Sequence, residues 1–218
     1  MKTLALEFSS EHRGVAVADG DRILGEARET AGRDTHPFAL IRAALEQARG
    51  RRDEIHRVVV GTGPGSYNGI RTAIAVAQGW HLARGVEVGG IGSMEGLAED
   101  LRLQGRRGRL HAVVDAQRGE FYLAAYELRA DGLAIAEALR IVPRQTLAAL
   151  LAAGEPVFGP PGEAVPAGVQ PAYPSAAALA RLAATRFTPC APEALEPIYL
   201  RETSFVKAPP PRIIVDHP

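Results

Sequence analysis

The sequence predicts an α/β fold built from two related halves, and three observations predict it. The chain opens with three short apolar runs separated by tight polar turns. An apolar, β-branched run at 58–60 then breaks into a glycine-rich turn, Gly61-Thr62-Gly63-Pro64-Gly65-Ser66, and a long helical pattern follows. After a polar stretch at 104–109 the opening pattern of strand, acid, turn, strand, turn, strand returns, as in an internal duplication.

Taken in order, residues 3–8 form a first strand, 15–18 a second and 22–27 a third, joined by the turns 9–14 and 19–21 as a meander. Residues 37–49 form a helix, because Phe38, Ile41, Leu45 and Ala48 recur at helical spacing. Pro37 suits its first turn and Gly50 its end. Residues 57–61 are a strand, followed by the helix 68–84, a strand at 86–91 and a helix at 93–103 that Ser93 is placed to cap. The first half thus reads β-β-β-α-β-α-β-α and spans 1–104. The second, 105–218, is reduced: strands at 110–114, 120–128 and 133–142, a helix at 143–153, a short strand at 156–159, an alanine-rich helix at 175–186 and a last short strand at 197–200. Pro209, Pro210 and Pro211 predict an extended tail.

Composition narrows the function classes. The 218 residues carry 25 Lys+Arg against 25 Asp+Glu, a balance unlike that of proteins gripping nucleic acid by bulk charge. The exception is a basic cluster, Arg102, Arg106, Arg107 and Arg109. Cys190 is the one cysteine, so no disulfide forms within the chain and a reducing cytoplasm is the expected setting. The first residues lack the apolar run and cleavage pattern of a signal peptide, and no stretch is long and apolar enough to cross a membrane.

The turn at 61–66 is the candidate phosphate-binding feature. Glycines let a backbone approach another group closely, and amides at a helix N-terminus attract anions. It lacks the Gly-Lys-Ser/Thr of a Walker loop, and Gly63, Gly65 and Gly69 are spaced G-x-G-x-x-x-G, unlike the dinucleotide fingerprint. Glu7 and Asp115, each ending the first strand of a half, are the carboxylates that would organise metal and phosphate in a kinase or ATPase. None of the six histidines has another four residues on, so the helical H-x-x-x-H metal pair is missing, and no nucleophile–base constellation supports a peptidase.

Two halves led by three strands point to the duplicated, ribonuclease-H-like fold of actin-like ATPases. Three segments are more specific: GTGPGSYNGIRTAIAVAQG at 61–79, VVDAQRGEFYLAAYE at 113–127 and PIYLRETSFVK at 197–207 resemble, in order, the corresponding segments of the TsaB (YeaZ) family. Tyr67 stands where that family usually has Phe, Asn68 where Thr is common, and Glu7 where Asp usually ends the first strand. The resemblance implies a non-catalytic scaffold in the transfer of a threonylcarbamoyl group from threonylcarbamoyl-AMP to the adenosine beside the anticodon of tRNA. It implies pairing with the metal-bearing paralogue TsaD, association with the ATPase TsaE, contact with tRNA through the complex, and a homodimer when alone. It implies no cofactor and no metal of its own. The partner face is expected on the first-half helices, at Phe38, Ile41, Leu45, Ile70, Ile74, Trp80 and His81. Gly63, Gly65, Ser66, Glu7 and Asp115 are expected as a vestigial nucleotide turn. The alternative reading is an ATPase or small-molecule kinase using those same residues.

Overall fold

The computed structural model describes residues 1–30 and 36–200. The proline tail and the family-like residues 201–207 lie outside the described residues. A five-stranded sheet is drawn from β1 (Lys2–Glu7), β2 (His12–Asp19), β3 (Arg22–Thr30), β4 (Arg57–Gly61) and β5 (Glu87–Ile91), in the order β3-β2-β1-β4-β5. Its first three strands are antiparallel neighbours, and β1, β4 and β5 run parallel. A second sheet holds β6 (Gly108–Asp115), β7 (Glu120–Leu128), β8 (Leu133–Pro143), β9 (Val157–Gly159) and β10 (Gln170–Pro171). Read from β8, its order β8-β7-β6-β9-β10 repeats the first with the same strand directions. This is the duplicated arrangement of the actin-like fold.

Side-chain size divides the first sheet into two faces, as strand alternation requires. Leu4, Leu6, Val15, Val17, Val58 and Val60 point to one face, where α1 (Pro37–Gln47) and α2 (Tyr67–Arg84) cover them. Ala5, Ala16, Ala18 and Val59 point to the other. These small residues admit α5 (Ala176–Arg186), whose own Ala176, Ala177, Ala180 and Ala183 are buried against them. The exchange is reciprocal: α3 (Ser93–Leu103), which follows the first sheet in sequence, lies against β6, β7 and β8 of the second. The two helices also pack on each other, so one apolar cluster joins the halves. The smaller α4 (Arg144–Ala152) covers the far side of the second sheet through Leu147.

Three local expectations are corrected. Residues 197–200 form no strand; they lie as an irregular strap in which the Ile198 amide donates to the Thr62 carbonyl at 2.9 Å. The two-residue β10 occurs where no strand was expected. Ser93 does not cap its helix: Gly92 holds that position, and the Ser93 hydroxyl accepts from the Gly63 amide at 3.0 Å instead. Its side chain serves the neighbouring turn, which needs an acceptor more than the helix needs a cap.

Candidate functional site

Two regions gather the candidate residues: a cleft between the halves, and the outer surface of α1 and α2. The cleft holds about 600 Å³. One wall is Ser9, Ser10, Gly65 and Ser66; the other is Asp115, Gln117 and the turn Pro160-Pro161-Gly162. The structure therefore brings Gly65, Ser66 and Asp115 together across the cleft.

It does not bring Glu7 or Gly63 to the cleft wall. The Glu7 side chain is fully buried, turned beneath the end of β4 so that a Cβ on Gly61 would collide with its Oε2. Oε1 accepts from the Ser9 amide at 2.7 Å, while Oε2 has no hydrogen-bond partner among the described residues. Burial pushes this carboxyl above the usual range; bonding with Ser9 opposes the rise. The Glu7 side chain is not among those that line the cleft. Asp115 is differently placed. It is half-buried on the cleft wall, its two oxygens accepting from the Gln117 amide (2.8 Å) and side chain (3.1 Å).

The glycine turn is spent on packing. The amides of Thr62, Gly63 and Ser66 donate to the Ile91 carbonyl, the Ser93 hydroxyl and the Ser9 carbonyl. Side chains at Gly65 and Gly69 would strike the carbonyls of Ser9 and Phe8. These glycines let α2 start directly against the end of β1, which accounts for the motif without a phosphate. Ser66 caps α2, its hydroxyl accepting from the Gly69 amide at 3.3 Å. The basic cluster is likewise engaged internally. Arg102 pairs with Glu99, Arg109 with Glu137, and Arg107 donates to the carbonyls of Arg102 and Arg106.

On the outer surface, four of the seven expected partner residues are corrected. Ile41, Leu45, Ile70 and Ile74 are buried under their helices against the sheet. Helical spacing finds the apolar stripe, and the sheet takes that stripe. His81 is half-buried, its Nδ1 2.8 Å from the Val86 carbonyl, to which it donates. Phe38 is 66% exposed, and it borders a shallow apolar groove of about 520 Å³ with Pro37, Thr72, Ala75, Val76, Gly79 and Trp80. The opposite flank of α2 is lined by the segment 192–199: the Gln78 side chain donates to the Pro192 carbonyl at 2.8 Å, and Tyr199 lies by Tyr67. Gly79, whose own spacing signals nothing, is the residue that sequence reasoning missed. It is exposed, mid-helix, and a Cβ there would meet nothing within 4 Å. Arg13 was missed too. It lines the cleft from β2, in phase with the inward Val15 and Val17, and that parity was the available signal.

Among the described residues no group of three metal-ligating side chains clusters closely enough to hold an ion, and no helix is long and apolar enough to cross a membrane.

Residues 37–157 match the model of a family described as tRNA N6-adenosine threonylcarbamoyltransferase, TsaD. An uncharacterized protein of Mycobacterium tuberculosis is 35% identical over 188 residues, 84% of this chain and 80% of that one. The tRNA threonylcarbamoyladenosine biosynthesis protein TsaB of Escherichia coli is 31% identical over 80 residues, 37% of this chain and 35% of that protein. The solved structure of YeaZ from Pseudomonas aeruginosa superimposes with a TM-score of 0.75 at 26% identity, covering 91% of this chain and 99% of that one.

Proposed function

Because the chain belongs to the TsaB (YeaZ) family, we propose that it serves tRNA threonylcarbamoyladenosine biosynthesis as a non-catalytic, activating scaffold. In this reading it pairs through the outer groove of α1 and α2 with a TsaD-type paralogue, which carries the metal and the transfer chemistry. The TsaE-type ATPase and tRNA join through that complex, in the cytoplasm, and the same groove forms a homodimer when the chain is alone.

The observation that carries this reading is the glycine at position 79. A glycine inside a helix costs about 1 kcal/mol against alanine. Gly69 returns that cost through close backbone packing, whereas nothing among the described residues requires Gly79. An exposed glycine in a groove of small residues, bordered by Phe38 and Trp80, suits the close approach of a second helix with an aromatic rim. The buried Glu7, the occupied turn amides and the missing H-x-x-x-H pair support a role without phosphoryl or metal chemistry.

The test is reconstitution of threonylcarbamoyladenosine on tRNA from threonine, bicarbonate and ATP, with the synthase, TsaD and TsaE supplied. Modification is expected only when this chain is added, and equal modification without it overturns the reading. Hydrolysis of ATP by the purified chain alone, lost in Asp115→Ala, would favour the kinase alternative instead.

A further inference from the structure

Arginines from three elements converge on one shallow depression of about 480 Å³, on the side of α1 and α2 that leads to their C-terminal ends. Arg42 comes from α1, Arg51 and Arg52 from the turn that follows it, and Arg84 from the last turn of α2. All four are exposed. Two carboxylates stand among them. Asp53 is taken by Arg51 at 2.6 Å, and Glu46 lies 3.9 Å from Arg42. The bond to Arg51 holds the Asp53 carboxyl below its usual range, and the field of Arg84 adds to that. The guanidinium groups of Arg52 and Arg84 themselves have no hydrogen bond or ion pair among the described residues. In a chain whose charges balance overall, this is a local positive excess.

Helix dipoles account for only part of it. Arg84 stands where the C-terminal end of α2 favours a cation. α1 has no basic residue in its last turn, so that effect does not place Arg42. The depression also lacks what a protein contact needs. Its aliphatic side chain, Leu45, is buried against the sheet, so no exposed apolar or aromatic anchor is present. The groove of Phe38, Gly79 and Trp80, nearer the start of α1, holds those anchors instead. A shallow, polar, cation-rich surface suits a phosphodiester backbone, whose oxygens the guanidinium fork matches.

We propose that Arg42, Arg51, Arg52 and Arg84 form a contact surface for the phosphate backbone of RNA, so that substrate tRNA touches this chain directly. The proposal rests on the assembly reading and names a partner surface that the reading leaves open. It replaces the basic cluster at 102–109, the stretch that the sequence singles out, because Arg102, Arg107 and Arg109 are engaged internally.

The experiment compares two double reversals with the same change of charge: Arg52→Glu with Arg84→Glu, and Arg106→Glu with Arg107→Glu. All four positions are exposed, and unfolding midpoints check that both proteins fold. If a reversal does not fold, the corresponding alanine pair takes its place. The reconstituted modification reaction gives KM for tRNA and kcat, calorimetry gives affinity for the TsaD-type partner, and filter binding against sodium chloride gives affinity of the full chain for tRNA. In the 52/84 pair KM is expected to rise about tenfold at low salt, with kcat and partner affinity unchanged. The slope of log affinity against log salt should fall by about 2, one for each arginine. The 106/107 pair should match the parent throughout.

An unchanged KM in the 52/84 pair, with modification still dependent on the chain, overturns the RNA surface and leaves the assembly reading standing. Equal losses in the two pairs mark bulk charge and overturn it as well. A fall in partner affinity that accounts for the KM marks an acidic protein surface as the occupant and overturns it. If modification proves independent of the chain, the assembly reading falls and filter binding decides alone. Retention of tRNA that the 52/84 reversal abolishes and the 106/107 reversal spares then sustains the surface; any other pattern overturns it.

Discussion

The two halves share a strand order but not a crossover. Between β4 and β5 the chain builds the 18-residue α2; between β9 and β10 it passes through 160–169 with no helix. The local sequences explain the difference. The first crossover has one glycine-rich turn followed by IRTAIAVAQ, whereas the second carries Pro160, Pro161 and Pro166 with Gly162 and Gly168 in ten residues. Each proline removes an amide donor and clashes with a preceding helical turn. The second half therefore has no crossover helix over its parallel strands, where Leu147 of α4 packs with Val165 and Val169 instead, and β10 dwindles to two exposed residues. Only the first half retains a paired-helix outer face. The comparison teaches that the two halves share a strand frame, while the difference in crossover leaves only the first with an outer face of paired helices.

The largest expected effect contrasts the two crossovers directly. Gly69→Ala places a methyl against the Phe8 carbonyl, backbone that cannot yield without shifting α2 off β1. A loss of about 3 kcal/mol is expected in urea unfolding. Gly162→Ala, in the turn that replaces the helix, meets only Val165 Cγ2 at 3.8 Å and is expected to change stability by less than about 0.5 kcal/mol. Equal losses would mean that the second crossover is as tightly built as the first.

Next comes the proposed docking face. Ala75 is exposed in the outer groove, away from the buried Ala73, Ile74 and Ala77. Ala75→Arg is expected to leave unfolding within about 0.5 kcal/mol of the parent. It should reduce tRNA modification in the reconstituted system at least tenfold, a change of about 1.4 kcal/mol or more in partner affinity. Gly132→Arg, in the β7–β8 turn of the second half and away from the cleft, should leave modification unchanged.

The acids ending β1 and β6 offer a third contrast, because one is buried and the other lines the cleft. Burial raises the Glu7 carboxyl in the folded state, so the folded chain holds that proton more tightly than the unfolded chain. The resulting contribution is present below the unfolded value and is lost as pH rises through the folded value. This contribution to parent stability is therefore expected to fall as pH rises above the ordinary glutamate range. Glu7→Gln, neutral throughout, should flatten that fall and be the more stable form at neutral pH. An unchanged slope, read by denaturation at stepped pH, would refute the burial-driven rise of this carboxyl.

Much of this was legible in the sequence, for identifiable reasons. Alternation of Leu4 and Leu6 with Ala5, and of Val15 and Val17 with Ala16, encodes strands with one large-residue and one small-residue face. The repeat of strand, acid and turn encodes the duplicated order. What escaped was partition. Ile41, Leu45, Ile70 and Ile74 announce an apolar stripe, but spacing does not say whether a sheet or a partner takes it; here the sheet does. The exchange of α3 and α5 between sheets was illegible because an alanine-rich helix fits any close-packed face. Glu7 ends a strand just as Asp115 does, and only the crowding of Gly61 and Ser93 shows that its longer side chain folds inward.

The smallest expected effect discriminates most sharply. Gly79→Ala adds one methyl into open space on a helix. By itself this should stabilise the isolated chain by up to about 1 kcal/mol, through helix propensity and a less disordered unfolded state. If the groove seats a partner helix, the same methyl stands between the two backbones and association with the TsaD-type partner should weaken, read by calorimetry or analytical ultracentrifugation. Stability and binding would then move in opposite directions from one atom. If both rise, or binding is indifferent, Gly79 is not a contact and the docking face must be sought elsewhere on α1 and α2.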